Sequence, residues 1–184
     1  MKRLASPAAF AMLLAACATA PKPGAARADV QRAAGRAEVP SPARPGERAP
    51  RFTVRGLDGR EVGLAIGRVN LVFFWATWSE PDKKAIPRLQ EIFERHGPAG
   101  LAMLGLSVDD EPGLVAEFVR TCGGRFPVAW DEERRIATLY DARCEPTYFV
   151  IDRRGVVRFE HCGYGDADAE QIDAEISALL REPP

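Results

Sequence analysis

Chemistry in this chain turns on the thirteen residues Trp75-Ala76-Thr77-Trp78-Ser79-Glu80-Pro81-Asp82-Lys83-Lys84-Ala85-Ile86-Pro87, which follow an apolar run and open a helical pattern. A helix N-terminus lowers the pKa of a thiol placed on it and turns that thiol into a nucleophile. No cysteine stands in this stretch. A serine hydroxyl gains little from the same field, and it cannot store two electrons. Asp82 cannot resolve a mixed disulfide. Ser79 is not expected as a hydrolytic nucleophile, because neither His96 nor His161 has a sequence context that places it as a partner base. Ser-Glu-Pro-Asp instead puts a hydroxyl at the N-cap, a proline in the first turn and a carboxylate at N3. That pattern is close to a Ser-x-x-Glu capping box, so Ser79 is expected to cap, worth about 1 kcal/mol.

Sulfur lies elsewhere, at Cys17, Cys122, Cys144 and Cys162. Cys122, at a predicted helix end, is expected to be a small half-buried residue. Asp152-Arg153-Arg154-Gly155 fits a type I turn with Gly155 left-handed, which pairs Asp152 with Val156. That register sets Cys162 opposite Pro146 and Cys144 diagonal to it on one face. Diagonal neighbours lie roughly 7–8 Å apart, at the outer limit for a disulfide. Two unlinked thiols are the expectation, with a bridge open if a bend at Pro146 closes the gap. His161 adjoins Cys162, but adjacent strand residues point to opposite faces and make poor partners for one ion. No cofactor or metal site is expected; copper(I) between Cys144 and Cys162 is the soft-ligand alternative. His96 fits a helix C-terminus.

The elements that must position these residues begin after a targeting segment. Lys2 and Arg3, then Phe10 to Leu14, then Leu14-Ala15-Ala16-Cys17 follow the order of a signal peptide ending in a bacterial lipobox. Residues 1–16 are therefore expected to be removed and Cys17 to carry lipid, on the periplasmic side of a bacterial membrane. Ala18 after the cysteine favours the outer membrane, by resemblance to the enterobacterial sorting rule. Residues 17–48, rich in Ala, Pro and Arg, read as a disordered tether spanning roughly 30 Å. A folded domain is expected over 49–184. The 184 residues are 46% apolar and 28% charged with a net charge of -1, which gives no basic footprint for nucleic acid.

Within the folded part, Arg51 to Val54 and Glu61 to Leu64 flank Leu57-Asp58-Gly59-Arg60, a hairpin signal. Val69 to Trp75 is apolar throughout, as a strand covered on both faces requires. A helix is predicted from Glu80 to Arg95, a strand from Leu101 to Val108, a helix from Pro112 to Thr121 and a short helical piece from Glu132 to Tyr140. Pro146 to Ile151 and Val156 to His161 form a predicted hairpin, and Ala169 to Leu180 a closing amphipathic helix. The result is an α/β chain with a mixed β-sheet flanked by helices and an N-terminal hairpin extension.

This order resembles the thioredoxin superfamily, in particular the TlpA/ResA-like membrane-tethered thiol–disulfide oxidoreductases, from about Ala49 to Leu180. The likeness rests on Ala49-Pro50-Arg51-Phe52 with Leu57-Asp58-Gly59, on Leu71 to Trp78, on Ser107-Val108-Asp109-Asp110 and on Glu145 to Asp152. The group's motif is Trp-Cys-x-x-Cys, with a glutamate three residues further and a proline two beyond that. Trp78 and Pro87 match; the cysteines fall on Ser79 and Asp82 and the glutamate on Ala85. The resemblance thus implies a degenerate motif at Trp78, Ser79, Glu80, Pro81 and Asp82. The peroxiredoxin pattern, a cysteine three residues after a threonine, reaches Glu80 from Thr77. Pro146 looks like the superfamily's cis-proline, beside which a partner's extended backbone is held.

Two functions follow. The first is a non-catalytic polypeptide-binding or structural module in the cell envelope, with a partner groove at Trp78, Glu145, Pro146 and Thr147 next to Ser79. Glu80, Asp82 and Glu145 would there favour a basic or neutral segment. The second is a thiol–disulfide oxidoreductase with relocated chemistry, using Cys144 with Cys162 or Cys144 alone. Whether the chain is an enzyme stays open between them.

Overall fold

The computed structural model describes residues 42–165 and 167–183. The signal segment, Cys17 and the tether up to residue 41 lie outside them. From Ala43, which is buried, the backbone lies along a later hairpin: Gly46 N–H donates to Val157 O, Val157 N–H to Glu47 O and Ala49 N–H to Gly155 O. The chain therefore joins the fold before Ala49, where composition alone set the boundary.

β1 (Thr53–Arg55) and β2 (Glu61–Gly63) pair antiparallel as a small separate sheet, closed by a turn in which Gly59 has φ +82°. Only glycine takes such a backbone angle without strain. The main sheet contains β3 (Val69–Trp75), β4 (Leu101–Ser107), β5 (Val128–Trp130), β6 (Thr147–Ile151) and β7 (Val157–Cys162), in the order β5-β4-β3-β6-β7. The parallel pairs are β3 with β4 and β4 with β5; the antiparallel pairs are β3 with β6 and β6 with β7. β5 was not foreseen, since three residues are too few to show an alternation. Helices α1 (Glu80–His96), α2 (Val115–Thr121), α3 (Arg135–Tyr140) and α4 (Asp168–Arg181) cover the sheet.

All seven residues of β3 are buried, and their alternation divides the core. Val69, Leu71, Phe73 and Trp75 face one side with Ile86 and Leu89 of α1 and Ile172 and Ile176 of α4. Val72 and Phe74 face the other with Ile136 and Tyr140 around α3 and with Phe149 and Ile151 of β6. Burying a large apolar side chain contributes roughly 1.5–3 kcal/mol, so this strand anchors the fold. Asn70, the polar residue in the run, is satisfied locally: Oδ1 accepts the Ala65 N–H, and Nδ2 donates to the Ala65 and Arg68 carbonyls.

Candidate functional site: the helix tip and the cis-proline loop

β3 delivers the chain to the sheet's end, and α1 starts there. Ser79 is the N-cap residue, with φ -83° and ψ 116°, and Pro81 occupies the first turn. The capping box expected here does not form, because no side chain caps α1. The Ser79 hydroxyl donates to the Glu145 carbonyl at 3.4 Å. Asp82 reaches back past the N-cap, and its Oδ2 accepts the Ala76 N–H at 3.1 Å. The bend made by Thr77 and Trp78 explains this: it folds Ala76 over the helix tip, so a short carboxylate meets that amide first.

Asp82 is 1% exposed. Burial pushes its carboxyl up to about 7; the Ala76 amide and the Ser79 hydroxyl pull in the opposite direction, while Glu145 and Asp109 add to the rise. Tyr148 lies on the neighbouring strand with its hydroxyl buried and unpartnered, and burial, then the Asp82 charge, raises it well above the usual phenol range. Beside them Asp109 fastens the bend. It accepts the Thr77 N–H at 3.1 Å, the Thr77 hydroxyl at 2.6 Å and the Ser107 hydroxyl at 2.7 Å.

The loop opposite carries a cis peptide at Glu145–Pro146, as the resemblance implied for Pro146. It lies against the helix tip through the Ser79–Glu145 contact. Trp78 is 62% exposed at this junction, while Ser79, Pro146 and Thr147 are buried. Of the expected groove residues, Trp78 therefore presents a surface and Thr147 does not. The Thr147 hydroxyl donates to the Cys144 carbonyl instead.

The acidic character expected of the groove is altered too. Glu145 is paired with Arg134, Glu80 with Lys83, and Asp82 is enclosed. None of the three offers a bare carboxylate to a partner. Arg134 reaches Glu145 from a backbone at φ 53°, a left-handed position that sequence inspection did not single out. His96 ends α1 as expected and also bonds Asp173 of α4 through Nε2 at 2.7 Å. His161 bonds Glu175 at 2.8 Å rather than approaching a cysteine.

Cys144 and Cys162 form a disulfide with their Cα atoms 5.8 Å apart, so they are not the two separate thiols expected. The register also differs. The turn pairs Asp152 with Val156 as read from the sequence, and Ile151 pairs with Val157. Val150 then pairs with Phe159, so Arg158 is an extra residue, and Cys162 falls opposite Thr147 rather than Pro146. A bulge of this kind moves every later residue by one. The irregular chain before Thr147 brings Cys144 alongside. Among the described residues Cys122 is the free cysteine, half-buried as expected, with its thiol pushed up by burial.

Comparison with known proteins agrees with this architecture. The AhpC/TSA family model matches residues 45–160. The chain belongs to the AhpC/TSA family. Thiol-disulfide oxidoreductase ResA of Bacillus thuringiensis (strain Al Hakam) is 34% identical over 139 residues, which are 74% of this chain and 77% of that protein. Among solved structures, a Chlorobium tepidum protein named for the thiol:disulfide interchange protein DsbE has a TM-score of 0.71 at 30% identity, covering 74% of this chain and 98% of its own. A second Chlorobium tepidum thiol:disulfide interchange protein, of the thioredoxin family, has a TM-score of 0.66 at 25% identity, covering 76% and 99%. Within the AhpC/TSA family the chain is thus thioredoxin-like and akin to the ResA and DsbE thiol–disulfide oxidoreductases.

Proposed function

We propose that this AhpC/TSA-family protein is a polypeptide-binding module whose helix tip does not carry out thiol exchange. One observation supports this above others. The positions where the resemblance puts two cysteines hold Ser79, which bonds the opposing loop, and Asp82, which is buried on the Ala76 amide. Neither provides a nucleophilic sulfur or a two-electron store. The parts that hold an extended chain remain: the cis-proline loop and an exposed indole at Trp78 beside it. A broad aromatic surface at small entropic cost suits an unspecialised polypeptide contact. The ion-paired acids leave selection to shape and apolar contact rather than to charge.

The module is an envelope lipoprotein in this reading, with lipid on Cys17, the residues between it and Ala43 as tether and the periplasm as its compartment; Ala18 favours the outer membrane. The charged start, apolar run and small residues before Cys17 support the assignment. Cys17→Ala should release the protein from membranes.

Reduced, carboxymethylated lactalbumin is a suitable probe of binding, because it is extended and has no thiols. Binding should be measurable by titration calorimetry, and Trp78→Ala should weaken it by about tenfold. A Cys144→Ser/Cys162→Ser variant should fail to reduce insulin. The combination Ser79→Cys/Asp82→Cys in that background should gain the activity. Insulin turnover by the Cys144→Ser/Cys162→Ser variant with Cys122→Ser added would overturn the reading.

A further inference from the structure

The Cys144–Cys162 disulfide is an asymmetric bond. Cys162 ends β7, an edge strand of the sheet, and its residue is exposed, whereas Cys144 is half-buried. Cys162 lies opposite Thr147, and Thr147 shares its face of β6 with Phe149 and Ile151. The bond therefore belongs to the side of the sheet that α3 packs, while α1 packs the other side. The field at the tip of α1 is not what would activate these sulfurs.

The immediate surroundings of Cys144 differ from those of Cys162. The Thr147 Oγ1 lies 3.2 Å from the Cys144 sulfur, and the Pro146 carbonyl oxygen lies 3.6 Å from it. A disulfide sulfur has no hydrogen to give, so in the bridged state the threonine proton goes to the Cys144 carbonyl. Once Cys144 is a thiolate, the same hydroxyl can turn and donate to it; once it is a thiol, both oxygens are acceptors. One sulfur is thus open to attack, and the other is supplied with partners for the state it enters on departure.

We infer that Cys144–Cys162 is a thiol–disulfide exchange site, with Cys162 as the sulfur an incoming thiolate attacks and Cys144 as the leaving sulfur. The substrate class is a dithiol. Its first thiolate forms a bond to the Cys162 sulfur as the Cys144–Cys162 bond breaks, and Cys144 departs with the electron pair. The substrate's second thiolate then attacks its own sulfur in the mixed disulfide and expels Cys162. The substrate leaves as a disulfide, and two electrons and two protons remain on Cys144 and Cys162. This activity is separate from polypeptide binding beside Trp78.

Reduced glutathione separates this reading from that of a purely structural bond. The full chain carrying Cys122→Ser, to remove the unrelated thiol, is exposed to it, quenched in acid, alkylated and mapped by peptide mass. Glutathione should be found on Cys162 and the alkyl group on Cys144, in at least about tenfold excess over the reverse pattern. Dithiothreitol in equal amount should yield one oxidised dithiothreitol per bond reduced. Thr147→Val should slow reduction by several-fold, with Thr147→Ser retaining the rate. Glutathione chiefly on Cys144 would overturn the assignment, as would a bond reducible only after unfolding in urea. Because no polypeptide is used, either result leaves the binding reading where it stood.

Discussion

Asp82, the third residue of α1, accepts the Ala76 N–H at 3.1 Å from inside a buried site, so the helix tip is closed by a carboxyl that reaches three residues past the N-cap. The contact gives the tip its shape, and burial gives it a pH dependence.

In the folded protein the Asp82 carboxyl is raised from 3.8 to about 7. A raised folded-state pKa means that the protonated form is favoured by folding. Its contribution is complete below the unfolded value and declines as pH rises through the folded one. The protein should therefore lose stability between pH 4 and pH 7 on this account. Asp82→Asn keeps an acceptor for Ala76 without the charge. It should raise stability at pH 8 by about 2 kcal/mol and change it little at pH 4, read from urea unfolding at both pH values. An identical pH dependence in both proteins would remove Asp82 as the cause.

Asp131 should be the costliest single carboxylate to remove around α3. It is buried, and its two oxygens accept the Ile136 and Ala137 amides at 2.9 and 2.7 Å. Arg134, the residue at the helix start, makes no side-chain cap, so Asp131 serves from a distance. Asp131→Ala leaves two amides unpaired inside the fold and should cost about 2–3 kcal/mol in thermal or urea unfolding. Asp131→Asn, which keeps one acceptor, should recover part of it.

Arg134 combines an ion pair with an unfavourable backbone. Arg134→Ala loses the pair to Glu145 and retains the left-handed conformation. Arg134→Gly loses the pair but relieves the strain. The glycine variant should be more stable than the alanine variant by about 0.5–1 kcal/mol in parallel unfolding curves. Should alanine prove the more stable, left-handed strain is not what this position contributes.

Much of the architecture is legible in the residues. The unbroken apolar run of β3 announces a strand covered on both faces, and Asp58-Gly59 announces the hairpin. Glu145-Pro146-Thr147 before an apolar strand pointed to the cis-proline loop. β5 was hidden because a three-residue strand carries no period, and its identity comes from the ladder with β4. The disulfide is not legible in the sequence because one extra residue at Arg158 changes what Cys162 faces, and a bulge has no compositional mark.

At the candidate site the division follows the range of the forces. Residue order alone determined that no sulfur stands between Trp75 and Pro87, that Ser79 and Asp82 open α1, and where the helices and main strands run, because these depend on covalent sequence and local periodicity. Tertiary structure alone decided that Ser79 bonds Glu145, that Asp82 is buried, and that Glu145 is claimed by Arg134. It likewise decided that Cys144 meets Cys162. Each of these depends on distances between segments remote in the chain and on exclusion of water, and both are set only when the sheet and its helices have packed.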